Sequence, residues 1–249
     1  MLLGGQLMIK QGHKRRREGG RAGNALRRGS ASIEQMPWHL PINNDAPTEP
    51  LNEDGIMAIH EGAMRILEEI GVEFLNKKAL KILKTAGCKI NGQNVRMDRH
   101  FVMEMIAKAP PTFDITPRNV KRKITVGGPY ILFGNVSSPP AYWDMEINKK
   151  IPGSREMFTN FCKLSQYFNC IHFLGGYPVE PVDLHPSTRH LDAVFDKLIL
   201  SDKVAHAYSL GKERVEDVME MVRIAGNLTH DEFEASPKMF TNINSTSPL

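Results

Sequence analysis

From residue 153 onward, short apolar runs and amphipathic stretches alternate at nearly constant spacing, and this alternation constrains the fold more than any other feature of the chain. Helical periodicity covers residues 154–168, 186–200 and 213–225, and strand-like runs cover 170–174, 204–208 and 239–243. Strand–helix units of about thirty residues are the mark of βαβ connections, and their right-handed crossovers force neighbouring strands to run parallel. In parallel α/β folds, ligands bind at the carboxyl ends of the strands. No G-x-G-x-x-G or G-x-x-x-x-G-K-[ST] occupies any of these turns, which argues against a dinucleotide or P-loop site.

The carboxyl ends of the expected strands therefore define the candidate site. Ile171-His172-Phe173-Leu174 breaks into Gly175-Gly176 and then into Tyr177, Glu180 and Asp183, a buried strand opening into a polar loop. The next strand carries His206 and Tyr208, two apart and so on one face, followed by Ser209. The last ends in Asn242, Asn244, Ser245, Thr246 and Ser247. Tyr177, Glu180, His206, Tyr208, Asn242 and Asn244 are the candidate substrate-binding residues, and no residue is assigned as catalytic.

Each has a structural alternative. His206 and Tyr208 would also fit as a hydrogen-bonded pair in the sheet, and Glu180 and Asp183 as acid/base groups or as caps of the helix starting near Pro186. His172, at the start of its strand, reads as a satisfied core histidine, and Arg189, His190 and Asp192 as solvent-facing residues or braces of the loop. Tyr142, Trp143, Tyr177 and Tyr208 could surround an ammonium group through cation–π attraction, with core packing the default for each alone.

Ahead of the alternating region three other segments are expected. Residues 1–36 hold Lys10, Lys14, Arg15, Arg16, Arg17, Arg21, Arg27 and Arg28, a basic Gly/Arg-rich tail without apolar periodicity that accounts for the net charge of +4. Its expected state is disordered and solvated, with nucleic-acid binding and an organellar transit role as sharper alternatives. Pro37, Pro41, Pro47 and Pro50 then impose an extended segment anchored by Trp38. A lobe spans residues 37–127, with helices opened by Asn52, Asn76 and Asp98, a hairpin turning at Asn91-Gly92, and hairpin strands after Thr112. Ile56, Ile59, Ala63, Ile66, Leu67 and Ile70 make one apolar stripe on the first helix.

Residues 128–249 add a further strand at 130–133, giving four barrel-like strands in an α/β fold. A closed (β/α)8 barrel takes about 250 residues by itself, so the expectation is the first half of a TIM barrel behind a small α+β amino-terminal lobe. Three cysteines without CxxC spacing read as free thiols of a reducing cytoplasm, with no metal site and no membrane span.

The runs FLGGYPVEPVD, RHLDAVFDKLILSDKVAHAYSLGKERVEDVMEMVRIA and FTNINSTSPL resemble the trimethylamine methyltransferase family, the MttB-type corrinoid-dependent methyltransferases. GGRAGNALR, EPLNEDGIMAIHEGAMRILEEIGVEFL and LFGNVSSPP carry the same resemblance into the amino-terminal half. The resemblance implies a TIM-barrel enzyme that moves a methyl group from trimethylamine, glycine betaine or a similar amine to the cobalt of a corrinoid (cobalamin). That corrinoid is carried by a separate protein and not bound tightly by this chain, and the full-length enzyme is expected to be a homo-oligomer. Family members are longer than this chain, so it is expected to be an amino-terminal fragment. The alternatives are an inactive partial barrel that binds partners through its basic tail, and a different TIM-barrel enzyme.

Overall fold

The computed structural model describes residues 33–208 and 210–243, so the basic tail and the final segment with Asn244 lie outside the described residues. From Pro37 on, the described residues form one compact unit of mixed α/β architecture, built among the described residues from helices and four small sheets. Among the described residues, no barrel is closed and no helix is long and apolar enough to cross a membrane.

The lobe comes first. Helix α1 (Glu53–Arg65) starts where the Asn52 side chain accepts the Gly55 N–H at 2.9 Å, with Glu53 and Asp54 in the positive first turn. It continues through a π turn (Ile66–Ile70) to Gly71, whose φ of 84° lets its N–H reach back to the Ile66 carbonyl at 2.7 Å. Helix α2 (Lys77–Thr85) is capped by Asn76 and α3 (Arg99–Ala107) by Asp98, both as anticipated. Strand β1 (Val72–Glu73), absent from the sequence reading, pairs with β3 (Asn94–Arg96), and β3 pairs with β2 (Lys89–Asn91) through the expected hairpin. The α1 stripe is not covered: Ile59 and Ile70 are 63% and 64% exposed.

Strands β4 (Thr112–Ile115) and β5 (Ile124–Gly127) form the next hairpin. The strand expected at 130–133 is a correction, because that segment makes only isolated bridges, Tyr130 to Ile42 and, just beyond it, Gly134 to Phe173. Its neighbours are too proline-rich for a ladder: Ile131 donates to the Pro41 carbonyl at 2.9 Å and Asn43 to the Pro129 carbonyl at 2.8 Å. A third hairpin, β6 (Ala141–Asp144) with β7 (Lys149–Pro152), occupies residues to which the sequence pattern assigned no element.

The alternating region then delivers α4 (Arg155–Tyr167), β8 (Phe173–Leu174), α5 (Arg189–Leu200), β9 (Val204–Ala207), α6 (Lys212–Ala225), the short α7 (His230–Glu234) and β10 (Met239–Thr241). Strands β8, β9 and β10 form a parallel sheet in sequential order, and the Gly134 bridge to Phe173 is parallel too. On one face, Ala207 and Met239 pack on Val194 of α5 and Val218 and Val222 of α6. On the other, Phe173, Val204 and Phe240 pack on Ile115 and Ile124 of the β4–β5 hairpin and on Trp38, the expected anchor. Trp38 sits edge-on to His172 at 5.1 Å, with the Arg122 guanidinium 4.5 Å above its ring. The start of β9 is tied to the end of α4 by Lys203, whose buried ammonium donates to the Ser165 and Phe168 carbonyls at 2.5 and 2.7 Å.

Candidate functional site

The loop leaving β8 is pinned on both sides. Gly175 donates its N–H to the Asn135 carboxamide oxygen at 3.0 Å, Ser138 donates to the Tyr177 carbonyl at 2.6 Å, and Glu180 donates to the Pro139 carbonyl at 2.9 Å. The glycine pair is what allows this approach, since a Cβ on Gly176 would stand 2.1 Å from the Ser137 hydroxyl. The loop is thus a buried, hydrogen-bonded wall at the carboxyl end of the sheet.

Tyr177, 4% exposed, lies under that wall against Phe158, at 6.0 Å and edge-on, and stacks on Tyr208 at 5.5 Å. Burial pushes its phenol up to about 12. Lys197 of α5 reaches between the ends of β8 and β9. Its ammonium, 2% exposed, donates to the Gly175 and His206 carbonyls at 3.3 Å each and lies 5.6 Å from the Tyr177 ring centroid. Among the described residues no carboxylate pairs with it, and burial brings it down to about 8. The neighbouring Asp196 is committed to Arg155, at 2.8 and 3.0 Å.

His206 lies on the face opposite the helices, its ring 4.8 Å from that of Phe240. It is 6% exposed, and among the described residues neither ring nitrogen has a hydrogen-bond partner. Burial, then the Lys197 charge, lowers it to about 4, so the imidazole is neutral.

The structure brings together only some of the residues singled out from sequence. Tyr177 and Tyr208 meet, while His206 turns to Phe240 and Tyr208 to Tyr177 rather than to each other. Glu180 is bound to the Arg189 guanidinium, which also donates to the Leu184 carbonyl at 2.9 Å, so Arg189 braces the loop as anticipated. Asp183 accepts the Arg155 N–H at 2.9 Å, so it caps α4 instead of the helix after Pro186. Asn242 is exposed just past β10, and Asn244 lies outside the described residues. Tyr142 packs edge-on against Phe161 at 6.3 Å, and exposed Trp143 donates to Asn148 at 3.2 Å, so the four aromatic residues do not share one box. His172 is a satisfied core histidine: its Nδ1 accepts the Phe133 N–H at 2.9 Å and its Nε2 reaches the His39 carbonyl at 3.1 Å.

A glycine-pinned loop at the carboxyl ends of parallel strands is common to many enzymes, and the sequence comparison narrows the choice. The chain matches the family described as trimethylamine methyltransferase over residues 17–249. It belongs to the trimethylamine methyltransferase family. Among the family's curated members, glycine betaine methyltransferase of Desulfitobacterium hafniense (strain Y51) is 33% identical over 199 residues, covering 80% of this chain and 41% of that protein. Trimethylamine methyltransferase MttB of Desulfitobacterium hafniense (strain DSM 10664 / DCB-2) is 25% identical over 205 residues, covering 80% of this chain and 40% of that protein. Proline betaine:corrinoid methyltransferase of Eubacterium limosum is 36% identical over 66 residues, covering 26% of this chain and 14% of that protein. The chain therefore spans less than half the length of each of these relatives.

In this family member, Lys197 and Asn135 were missed by residue-level reasoning. Lys197 falls three residues after Val194 and four after Ala193, squarely in the apolar stripe of its helix, and a lysine on that face was the available signal. Asn135 carried no such signal, because its partner Gly175 is 40 residues away.

Proposed function

We propose that this chain is the amino-terminal part of a methyltransferase that removes a methyl group from a methylated amine and passes it to the cobalt of a corrinoid carried by a separate protein. The match over residues 17–249 carries this reading. The names of the relatives supply its chemistry, glycine betaine, trimethylamine and proline betaine as methyl donors and a corrinoid as acceptor. In this reading the parallel order of the Gly134 bridge, β8, β9 and β10 is the first half of a (β/α)8 barrel, and the carboxyl ends of those strands face the amine.

The reduced cobalt supplies the nucleophile, and the amine departs with the electron pair of the broken C–N bond. The protein's own residues then have to position and desolvate the ammonium group. The buried loop 175–181 excludes water along one wall, and Tyr208, stacked by one face on Tyr177, offers its other face to a cation. The corrinoid arrives as a substrate on its carrier, and the work belongs to the cytoplasm, where Cys88, Cys162 and Cys170 stay free thiols.

The test is methyl transfer to a Co(I) corrinoid protein from glycine betaine, proline betaine and trimethylamine. It is run with this chain alone and with the remaining length of the glycine betaine relative supplied in trans. Conversion of Co(I) to methylcobalt in either format supports the reading. Absence of conversion with every amine in both formats overturns it.

A further inference from the structure

The three helices that cover the parallel sheet differ in what they turn to solvent. The exposed residues of α4 and α6 mix charged with apolar, with Glu156 and Lys163 in one and Glu216 and Glu220 in the other, as helices at a protein surface ordinarily do. The exposed residues of α5 are Leu191, Phe195 and Ile199, at 38%, 52% and 58%, and none is polar. A spacing of four sets them in one row along the helix. The ionisable side chains His190, Asp196 and Lys197 of the same helix are buried on the sheet side. With charge inward and an apolar row outward, the outer face of α5 has the pattern of a surface that another molecule covers.

The row is symmetric about Phe195, with Leu191 four residues before it and Ile199 four after. Two copies of α5 laid antiparallel across a twofold axis at Phe195 set Leu191 against Ile199 of the second copy and one phenyl ring against the other. The flanking charges fit the same arrangement. At the amino end of α5, Asp192 and Asp196 share the single Arg155 guanidinium, at 2.9 and 2.8 Å, which leaves one carboxylate charge unmatched. At the carboxyl end, Arg118 donates to the Leu198 and Ser201 carbonyls at 2.9 and 3.5 Å, and among the described residues no carboxylate pairs with it. Antiparallel pairing about Phe195 brings residue 192 level with residue 198 of the second copy. The surplus negative end of each helix then faces Arg118 of the other, and the two helix dipoles oppose. Parallel pairing would set like ends together.

We propose that the outer face of α5 is an interface between two copies of this chain, antiparallel about Phe195. It holds whether or not the chain takes part in methyl transfer. A single helix pair is small beside the about 1,200–2,000 Å² of stable interfaces, so the association is weak and grows with concentration.

The experiment is sedimentation equilibrium of the 249-residue chain from about 1 μM to about 1 mM. The average mass should climb from one chain toward two. Phe195→Glu should hold it at one chain across the range, with its urea unfolding midpoint showing that it folds. Arg118→Glu and Asp192→Lys should each weaken association about fivefold, and the two together should restore it, because each copy then offers the reversed pair. The charge reversal keeps the test valid if Phe195→Glu does not fold. A one-chain mass at every concentration would overturn the interface, as would association that survives Phe195→Glu in a folded chain. Association that the double reversal fails to restore would overturn the antiparallel pairing.

Discussion

Helices α1 and α4 have similar sequence logic and opposite fates. Each is 13 residues long, each has a side-chain N-cap, and each carries an apolar stripe at spacings of three and four. In α4 the stripe is consumed, with Phe158 and Cys162 fully buried against the sheet and α5. In α1, Ile56 and Ile59 stay exposed, as does Ile66 in the turn after it, and Met64 is the helix's buried residue. Periodicity therefore announces that a helix has a face to cover, while the covering is a property of what lies alongside. In the parallel region successive strand–helix units bring that cover. In the lobe the three-stranded sheet is too small to supply it.

The largest expected difference between the two is in side-chain truncation. Phe158→Ala should cost about 3–5 kcal/mol in denaturant unfolding, whereas Ile59→Ala should change the midpoint by less than about 0.5 kcal/mol. A large loss at Ile59 would mean that the α1 stripe is covered in solution. Glycine replacement should split the regions the same way. A Cβ on Gly153 would stand 2.1 Å from the Glu180 carbonyl oxygen, so Gly153→Ala should cost about 1–3 kcal/mol. Gly62, inside α1 with nothing within 4 Å, should gain about 0.5–1 kcal/mol on becoming alanine.

Acid should expose the sheet next. His206 has a folded-state value lowered by burial to about 4 from its ordinary 6.5, so between those limits the unfolded chain binds the extra proton. Stability is then full above about pH 6.5 and falls as pH drops toward 4. The loss should be on the order of 2 kcal/mol and should be flattened in His206→Gln, as read from urea midpoints across pH. The smallest effect belongs to the lobe surface. Removing the exposed Arg65–Glu69 pair, 3.2 Å apart, by Arg65→Ala should leave the unfolding midpoint unmoved within error.

What the sequence made legible follows from the range of the forces involved. Helix starts were readable because Asn52, Asn76, Asp98 and Ser154 cap groups only two or three residues away. The parallel direction of the strands was readable because strand–helix–strand crossovers leave little choice. The hairpin β6–β7 was not, because four-residue strands flanked by Pro139 and Pro140 and joined through Asn148, at a φ of 52°, give too short an alternation to register. The roles of Asp183, Glu180 and Lys197 were hidden for a different reason. Their partners lie 28, 9 and 22 residues away, and a carboxylate or ammonium in a sequence does not announce which distant donor or carbonyl it will meet. His206 was picked out as a strand-edge residue, but its isolation from any partner emerges only once its surroundings are in place.

The seat of Lys203 on the last carbonyls of α4 has a consequence in time. The helix ends at Tyr167, yet the ammonium that closes its carboxyl end arrives with a residue 35 positions past Phe168, after β8 and all of α5 have been made. On the ribosome, α4 can form early but its last turn stays unsealed until β9 begins. Nascent chains stalled with residue 203 still inside the exit tunnel and with it fully emerged should differ in protease access at 165–168. The first stretch of the sheet region would thus be locked from behind, at the start of a strand synthesised three elements later.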